Sequence, residues 1–211
     1  CGREDSYEAL LARGDVEAII ITAPNNKHAD LTVAAAAAGK HVFVDKPIAT
    51  TIPDARAMID ACRKGGVKLA IGASSRRLRG HRLCKKLVAD GLLGTVALVE
   101  TNYSKESGLN YTPDNWQYFK DGSPGGPLMQ VAIHQIDNLY YLFGPVKRVS
   151  AEFRKIMSKS ENPDVCVLWL EFESGLLGTL GTSFITPGIG RERHAYFINA
   201  YGDQGSFHHD R

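Results

Sequence analysis

Over the first third of the chain, short runs of β-branched and aliphatic residues alternate with longer stretches of helical spacing. Glu17-Ala-Ile-Ile-Ile-Thr-Ala23 is apolar almost without interruption, the pattern of a parallel strand buried on both faces. Pro24-Asn25-Asn26 closes it. Residues 27–38 then read as a helix stopped by Gly39, and its alanines, Ala34 to Ala38, give a smooth side that can lie close to a sheet. His41-Val-Phe-Val-Asp45 is the next strand. Beyond Lys46-Pro47 a second helix is predicted, with Thr51 as its cap, Pro53 in its first turn and Gly65-Gly66 at its end, and Val67 to Ile71 is a third strand. Strand, helix, strand, helix, strand with short links is the signature of right-handed βαβ units, so the segment is expected to form one half of a doubly wound, Rossmann-like sheet.

The pattern changes near residue 75. A helix from about His81 to Asp90 leads through Gly91 and Gly94 into a strand from Thr95 to Tyr103. Longer strand signals follow at Val146–Ile156, Val165–Glu173, Leu176–Ile185 and His194–Tyr201, with Ser174-Gly175 as a hairpin turn. A helix from about Gly126 to Phe143, stopped by Gly144-Pro145, interrupts them. The expected fold class is therefore α/β plus α+β. A partial Rossmann-like parallel sheet occupies residues 1–75, and an α+β domain with an open, largely antiparallel sheet occupies residues 76–211.

Composition narrows the function. The 211 residues are 44% hydrophobic and 23% charged with a net charge of +2, which describes a globular protein with a real core. The densest basic stretch, Arg76 to Arg82, is short, so no nucleic-acid partner is expected. No apolar run approaches the ~20 residues of a membrane helix, and no signal peptide opens the chain, so no membrane partner is expected either. The 4 cysteines lack CxxC spacing, which argues against a zinc site and a disulfide framework and makes a reducing cytoplasm the expected compartment. Cys1 stands where Met would open a chain, and the sequence reads as a fragment.

In an open parallel sheet, ligands bind beyond the carboxyl ends of the strands. Those positions hold Thr22-Ala-Pro-Asn-Asn-Lys-His28, Asp45-Lys46-Pro47 and Gly72-Ala-Ser-Ser-Arg-Arg77. Lys46, set between a strand and a proline, presents its ammonium at the crevice, although the tripeptide alone also fits a surface turn. A second candidate is Gly125-Gly-Pro-Leu-Met-Gln-Val-Ala-Ile-His134-Gln-Ile-Asp137. Four residues apart, Gln130 and His134 share one face of an α-helix, with Asp137 a further turn along. A histidine there suits the proton acceptor of an alcohol oxidation, and equally a core histidine satisfied by hydrogen bonds. The Gly108–Ser123 loop, with Tyr111 and Tyr118, and Tyr103 fit sugar contact or a mobile surface loop. His208-His209-Asp210 reads as an exposed tail at a frayed terminus, and no metal site is assigned.

Taken in order, Thr22-Ala-Pro-Asn…His28, Ala38-Gly39-Lys40-His41-Val42…Asp45-Lys46-Pro47, Gly72…Arg76-Arg77, Trp116, Gly125-Gly126…His134…Asp137 and Gly202-Asp-Gln-Gly-Ser206 resemble the glucose-fructose oxidoreductase, inositol dehydrogenase and rhizopine catabolism family, Gfo/Idh/MocA. The resemblance covers nearly the whole chain. It implies an N-terminal Rossmann domain that binds NAD or NADP and a C-terminal α+β domain whose open sheet supports a homodimer or homotetramer. The implied substrate is a sugar, polyol or related small molecule, with hydride exchanged between nicotinamide and a hydroxyl or carbonyl. Lys46 becomes the lysine of the family's Glu-Lys-Pro motif, with Asp45 in place of the glutamate, and His134 the acid or base. Thr22, Pro24, Asn25, His28, Asp45, Lys46 and Pro47 are then expected beside the cofactor. Arg76, Arg77, Trp116, Gln130 and Asp137 are expected on the substrate side.

Two departures stand out. Many polyol dehydrogenases of the family carry aspartate at the position of Gln130, and an amide can orient a hydroxyl but not take its proton. The family's first strand and Gly-x-Gly-x-x-Gly turn, where pyrophosphate sits, are not in the sequence, which ends early as well. Truncation at both ends predicts poor cofactor binding by this chain and exposed backbone and apolar surface on its first sheet. Two other readings compete with the oxidoreductase. One is an inactive fragment or sugar-binding sensor remnant. The other is an NAD-dependent glycoside hydrolase, against which an intact Lys46-Pro47 argues.

Overall fold

The computed structural model describes residues 2–187 and 194–210, apart from the side chain of His194. It divides into two compact units, residues 1–72 and 73–211.

In the first unit Ser6 caps α1 (Tyr7–Ala12), its Oγ accepting from Ala9 N at 3.0 Å. There follow β1 (Ala18–Ile21), α2 (His28–Ala37), β2 (His41–Val44), α3 (Ile52–Lys64) and β3 (Leu69–Ile71). Thr51 caps α3 by accepting from Asp54 N, and Pro53 sits in the first turn, where a missing N–H costs nothing. The three strands are parallel in the order β1-β2-β3, and Ile21, Val44 and Ile71 stand level with one another. Ile19, Ile21, Val42 and Val44 point into a core closed by Ala35 and Ala36 of α2 and Met58 and Cys62 of α3.

The strands are not buried on both faces as their apolar runs predict, whereas the apolar surface expected on the first sheet is present. Ile20 is 72% and Phe43 43% exposed. Both crossover helices belong to right-handed units and lie on the same side, so alternate strand residues point to a face that no described helix covers. Of the five alanines, only Ala35 and Ala36 are sealed in the core.

The second unit opens with α4 (Arg79–Ala89) and β4 (Val96–Lys105), and continues through a π-turn (Leu128–Ala132) into α5 (Ile133–Phe143). Five strands complete it: β5 (Val146–Arg154), β6 (Val165–Phe172), β7 (Leu177–Ser183), β8 (His194–Gly202) and β9 (Ser206–Asp210). Their order is β5-β6-β7-β4-β8-β9, with β4 and β7 parallel and the other neighbours antiparallel. One face packs Val99, Phe172, Leu180, Ile198 and Ala200 against Cys84, Leu139 and Leu142. The alternating residues Leu98, Trp169 and Leu177 are exposed on the other.

Two expectations change here. Residues 206–210 are not a tail but β9, paired with β8 from Tyr201↔Ser206 to Phe197↔Asp210, with Phe207 buried in the core and His209 half-buried beside it. The predicted helix from Gly126 is a π-turn followed by an α-helix. A π-turn closes on residue i+5, so the α-helical spacing that aligns Gln130 with His134 holds only at the His134 end.

A buried polar cluster fastens α5 to the sheet. Gln135 Nε2 donates to Thr101 Oγ1 at 2.6 Å and lies 3.1 and 3.2 Å from the carbonyl oxygens of Asn102 and Phe197. Its Oε1 accepts from Asn138 Nδ2 at 3.1 Å. The substitution Gln135→Leu keeps the volume but takes the acceptor from Asn138 and the donor from Thr101. It is expected to cost about 1–3 kcal/mol in urea unfolding, the penalty of buried groups left unpaired. A loss below about 0.5 kcal/mol, typical of surface changes, would show that the cluster carries no net stability.

Candidate active site

The level strand ends of the first unit deliver Thr22, Asp45 and Gly72 side by side, with Asp45 N donating to Ile21 O and Gly72 N to Val44 O, both at 2.9 Å. Asp45 Oδ1 accepts from Lys46 N at 2.8 Å, which tightens the turn into the cis Lys46–Pro47 bond. A Cβ on Gly72 would stand 3.0 Å from Asp45 Oδ1, so a larger residue there would press on the Asp45 carboxylate. His28 is buried, with Nδ1 2.9 Å from Pro47 O and Nε2 2.9 Å from Ala23 O. Its ring therefore packs between the loop after β1 and the loop after β2, with one ring N–H donating to one of the two carbonyls. Thr22 is exposed, and Pro24 and Lys46 are half-buried. Asn25, 4% exposed in the single turn after β1, has a buried Nδ2 with no hydrogen-bond partner among the described residues. An unpaired buried donor at a strand crest fits a site that takes a polar cofactor.

In the second unit, Gly126 enters the π-turn at φ +53°, and a Cβ there would lie 2.3 Å from Pro163 O. The 155–164 loop that supplies this wall is gathered by Asp164, whose carboxylate accepts from the N–H groups of Ile156, Met157 and Ser158 at 2.7 to 2.8 Å. Burial opposes ionisation of Asp164, but the three N–H groups and the Ser158 hydroxyl together outweigh it and hold the carboxyl below its usual value. Asn162 reaches from the same loop to the carbonyls of Gln117 and Phe119, and Glu161 N donates to Tyr118 O. The aromatic Gly108–Ser123 segment is thus tied down at several points. Trp116 is half-buried in one of its single turns.

His134 stands in the first turn of α5, its ring 6.1 Å from that of Tyr103 on β4. Asp137, one turn on, is held by Arg76 in a two-pronged pair, Nε–Oδ2 2.7 Å and Nη2–Oδ1 2.5 Å, and Asp137 pushes the guanidinium pKa up. The Arg76 guanidinium also lies over the Tyr141 ring at 5.3 Å. The structure thus brings two predicted substrate residues onto each other, while Arg77 is exposed. Sequence reasoning missed Gln135, Asn138, Asp164 and the buried His81. Only their position among apolar neighbours marks them, because hydropathy scores a buried amide like a surface one.

A separate cavity of about 800 Å³ is lined by Ser104, Thr182, Ser183, Tyr196, Asn199 and His209 among others, and includes none of Gln130, His134 and Asp137. Among the described residues no group of His, Cys, Asp and Glu side chains is placed to hold a metal ion. The thiols of Cys62, Cys84 and Cys166 are buried and free, and burial pushes Cys84 up to about 12 and Cys166 up to about 11. Among the described residues no helix is long and apolar enough to cross a membrane.

A parallel βαβαβ layer with polar loops at its strand ends, followed by an α+β domain on an open mixed sheet, defines a two-domain class of Rossmann-type proteins. Residues 3–73 match the oxidoreductase family with an NAD-binding Rossmann fold, and residues 81–208 match the GFO/IDH/MocA C-terminal domain. The chain belongs to the Gfo/Idh/MocA oxidoreductase family. It is 28% identical to a 1,5-anhydro-D-fructose reductase of Ensifer adhaerens over 86% of this chain and 54% of that one. It is 30% identical to a 2,7-anhydro-N-acetylneuraminate hydratase of Escherichia coli K12 over 98% of this chain and 55% of that one. A crystal structure from Desulfitobacterium hafniense superposes with a TM-score of 0.92 at 38% identity, covering 100% of this chain and 60% of that one. The chain thus spans about half the length of the curated relatives it matches.

The Asp164 carboxyl is easier to ionise folded than unfolded, so it contributes stability above its unfolded value of about 3.9 and loses it as pH falls through the lower folded value. The Asp164→Asn variant is expected to unfold at a lower urea concentration than the parent at pH 7, with the gap narrowing below about pH 4. A gap that stays constant between pH 7 and 3 would remove the ionised carboxylate from the account.

Proposed function

We propose that the protein is an NAD(P)-dependent oxidoreductase acting on a hydroxyl or carbonyl of a sugar, polyol or related small molecule. The first unit, with the domain border near residue 75, serves the cofactor and the second serves the substrate. The observation that carries this reading is the buried Nδ2 of Asn25, a donor awaiting a polar partner in a segment that matches NAD-binding Rossmann folds. The names of the two relatives, a reductase and a hydratase of anhydro sugars, support a cyclic sugar-like substrate.

A bound nicotinamide would supply the hydride donor or acceptor. Asn25 donates to the cofactor, Thr22, Pro24, Asp45 and Pro47 line its seat, and His28 holds the two loops that form it. Lys46 donates a hydrogen bond to the reacting substrate oxygen, and its positive charge favours the oxygen anion that develops there. His134 takes the hydroxyl proton in oxidation and returns it in reduction. Gln130 orients a second hydroxyl without exchanging a proton, and Trp116 and Arg77 border the substrate. Arg76 and Asp137, already paired with each other, hold α5 in place. The exposed row Leu98, Trp169 and Leu177 supports pairing of copies through the open sheet into a homodimer or homotetramer. The buried free thiols fit the reducing cytoplasm.

In the intact protein, His134→Asn is expected to lower kcat by about 10²–10⁴, the usual value of a positioned acid or base, with NADH binding unchanged in a fluorescence titration. Asn25→Ala should instead weaken NADH or NADPH binding by about tenfold, the worth of one hydrogen bond. Full turnover by His134→Asn sinks the proton-exchange role. Release of product with no net change in cofactor redox state would favour a hydratase or glycosidase course instead.

A further inference from the structure

We propose that His81 and Tyr196 are positioning residues for His134, acting through the ring of Tyr103. The proposal rests on the reading of His134 as the group that exchanges the substrate proton. His81, in the first turn of α4, is completely buried. Its Nδ1 lies 2.6 Å from the carbonyl oxygen of Ser75. A carbonyl only accepts, so Nδ1 carries a ring proton, and in the neutral imidazole Nε2 then presents its lone pair. The hydroxyl of Tyr196, on β8, is hydrogen-bonded to that Nε2, and the tautomer makes the hydroxyl the donor. The order of donation runs from Tyr196 to His81 to Ser75, and it ties β8 to the single turn Ser74–Arg77 that also carries Arg76.

From Tyr196 the constraint passes by ring packing. Its ring lies edge-on to Tyr103, with centroids 5.2 Å apart and planes at 78°. Tyr103 in turn lies 6.1 Å from the His134 imidazole, at 40°. His209 closes the other side, edge-on to His81 at 5.4 Å and to Tyr196 at 5.9 Å. Close-packed rings have a few discrete arrangements rather than a continuum, so a hydroxyl fixed at one end fixes the plane of the next ring. Gln135 already places the backbone of α5. The Tyr103 ring bounds one side of the His134 imidazole and so restricts its rotation about the side-chain bonds. An acid or base works only within hydrogen-bond reach of its proton, which is why an orientation held from a distance matters.

The decisive variant is Tyr196→Phe, which keeps the ring and removes the hydroxyl. Long-range proton–nitrogen correlation spectra of the 211-residue chain are expected to show His81 as the Nδ1–H tautomer. They are also expected to show the His134 ring signals displaced in Tyr196→Phe. His81→Gln, whose Oε1 can accept from Tyr196, should keep the His134 signals in place, and His81→Leu should displace them. In turnover by the intact protein, Tyr196→Phe should lower kcat about tenfold with KM within about twofold, the pattern of a misplaced catalytic group. A folded Tyr196→Phe with unmoved His134 signals overturns the proposal, as does an Nε2–H tautomer at His81. Should His81→Leu fail to fold, Tyr196→Phe decides alone. The spectra need no cofactor, so this failure is distinct from that of the acid–base reading, which shows as His134→Asn retaining turnover.

Discussion

A polar side chain sealed inside an apolar layer has to find all its partners there, and Gln135 finds them on two strands and on its own helix. Because the alternative is an unpaired amide in a low-dielectric interior, the cluster tolerates little displacement of α5 over β4 and β8. Its neighbours on the helix inherit that precision. His134 precedes it by one residue, and Asp137 follows by two and closes the bidentate pair with Arg76. The turn holding Arg76 also supplies the Ser75 carbonyl to His81, whose other nitrogen meets Tyr196 back on β8. Helix, turn and strand thus form a closed circuit. Its members differ in weight. The Arg76–Asp137 pair is 41% and 23% exposed, so its contribution to stability is of order 1 kcal/mol or less and its use is geometric, whereas the buried amide cluster governs stability as well.

The first unit solves a parallel problem with fewer parts. Level strand ends make the three loops neighbours, but loops have no ladder of their own to hold them. His28 supplies the missing link, one buried ring against a carbonyl from each of two loops. The same architecture explains the uncovered side. Two right-handed crossovers place both helices on one face, so Ile20 and Phe43, as apolar in sequence as Ile21 and Val44, point to the face that no described helix covers.

Much of this was legible in the sequence, and what was not has a physical cause. Runs such as Ile19-Ile20-Ile21 and the cap at Thr51 carry their structural meaning locally, so the βαβ order was readable. Whether Ile20 is covered depends on elements elsewhere, and no local pattern holds that information. Residues 206–210 do carry a strand signal, with Phe207 and His209 alternating against Ser206 and His208, but a histidine pair near a terminus reads as polar tail until its partner strand is known. The π-turn was hidden because its residues suit an α-helix equally well. At the candidate site the sequence singled out Lys46 and His134, whereas the groups that order the surrounding loops and helix, His28, Gln135, Asp164 and His81, look unremarkable because their partners are mostly main-chain groups, which leave no trace in residue type.

The pairing of Arg76 with Asp137 bears on what the second unit can recognise. A guanidinium and a carboxylate joined through two charge-assisted bonds have their best donors and acceptors engaged with each other. A neutral sugar hydroxyl offers bonds roughly half as strong, so it does not displace either partner. An anionic group would instead compete with Asp137 for the Arg76 guanidinium. The pair is therefore committed to structure, and in the proposed reading the recognition of sugar hydroxyls falls to other groups of the second unit. In the proposed reading, the amide at position 130 would add hydrogen bonds for hydroxyls without placing a second negative charge beside the proposed proton acceptor.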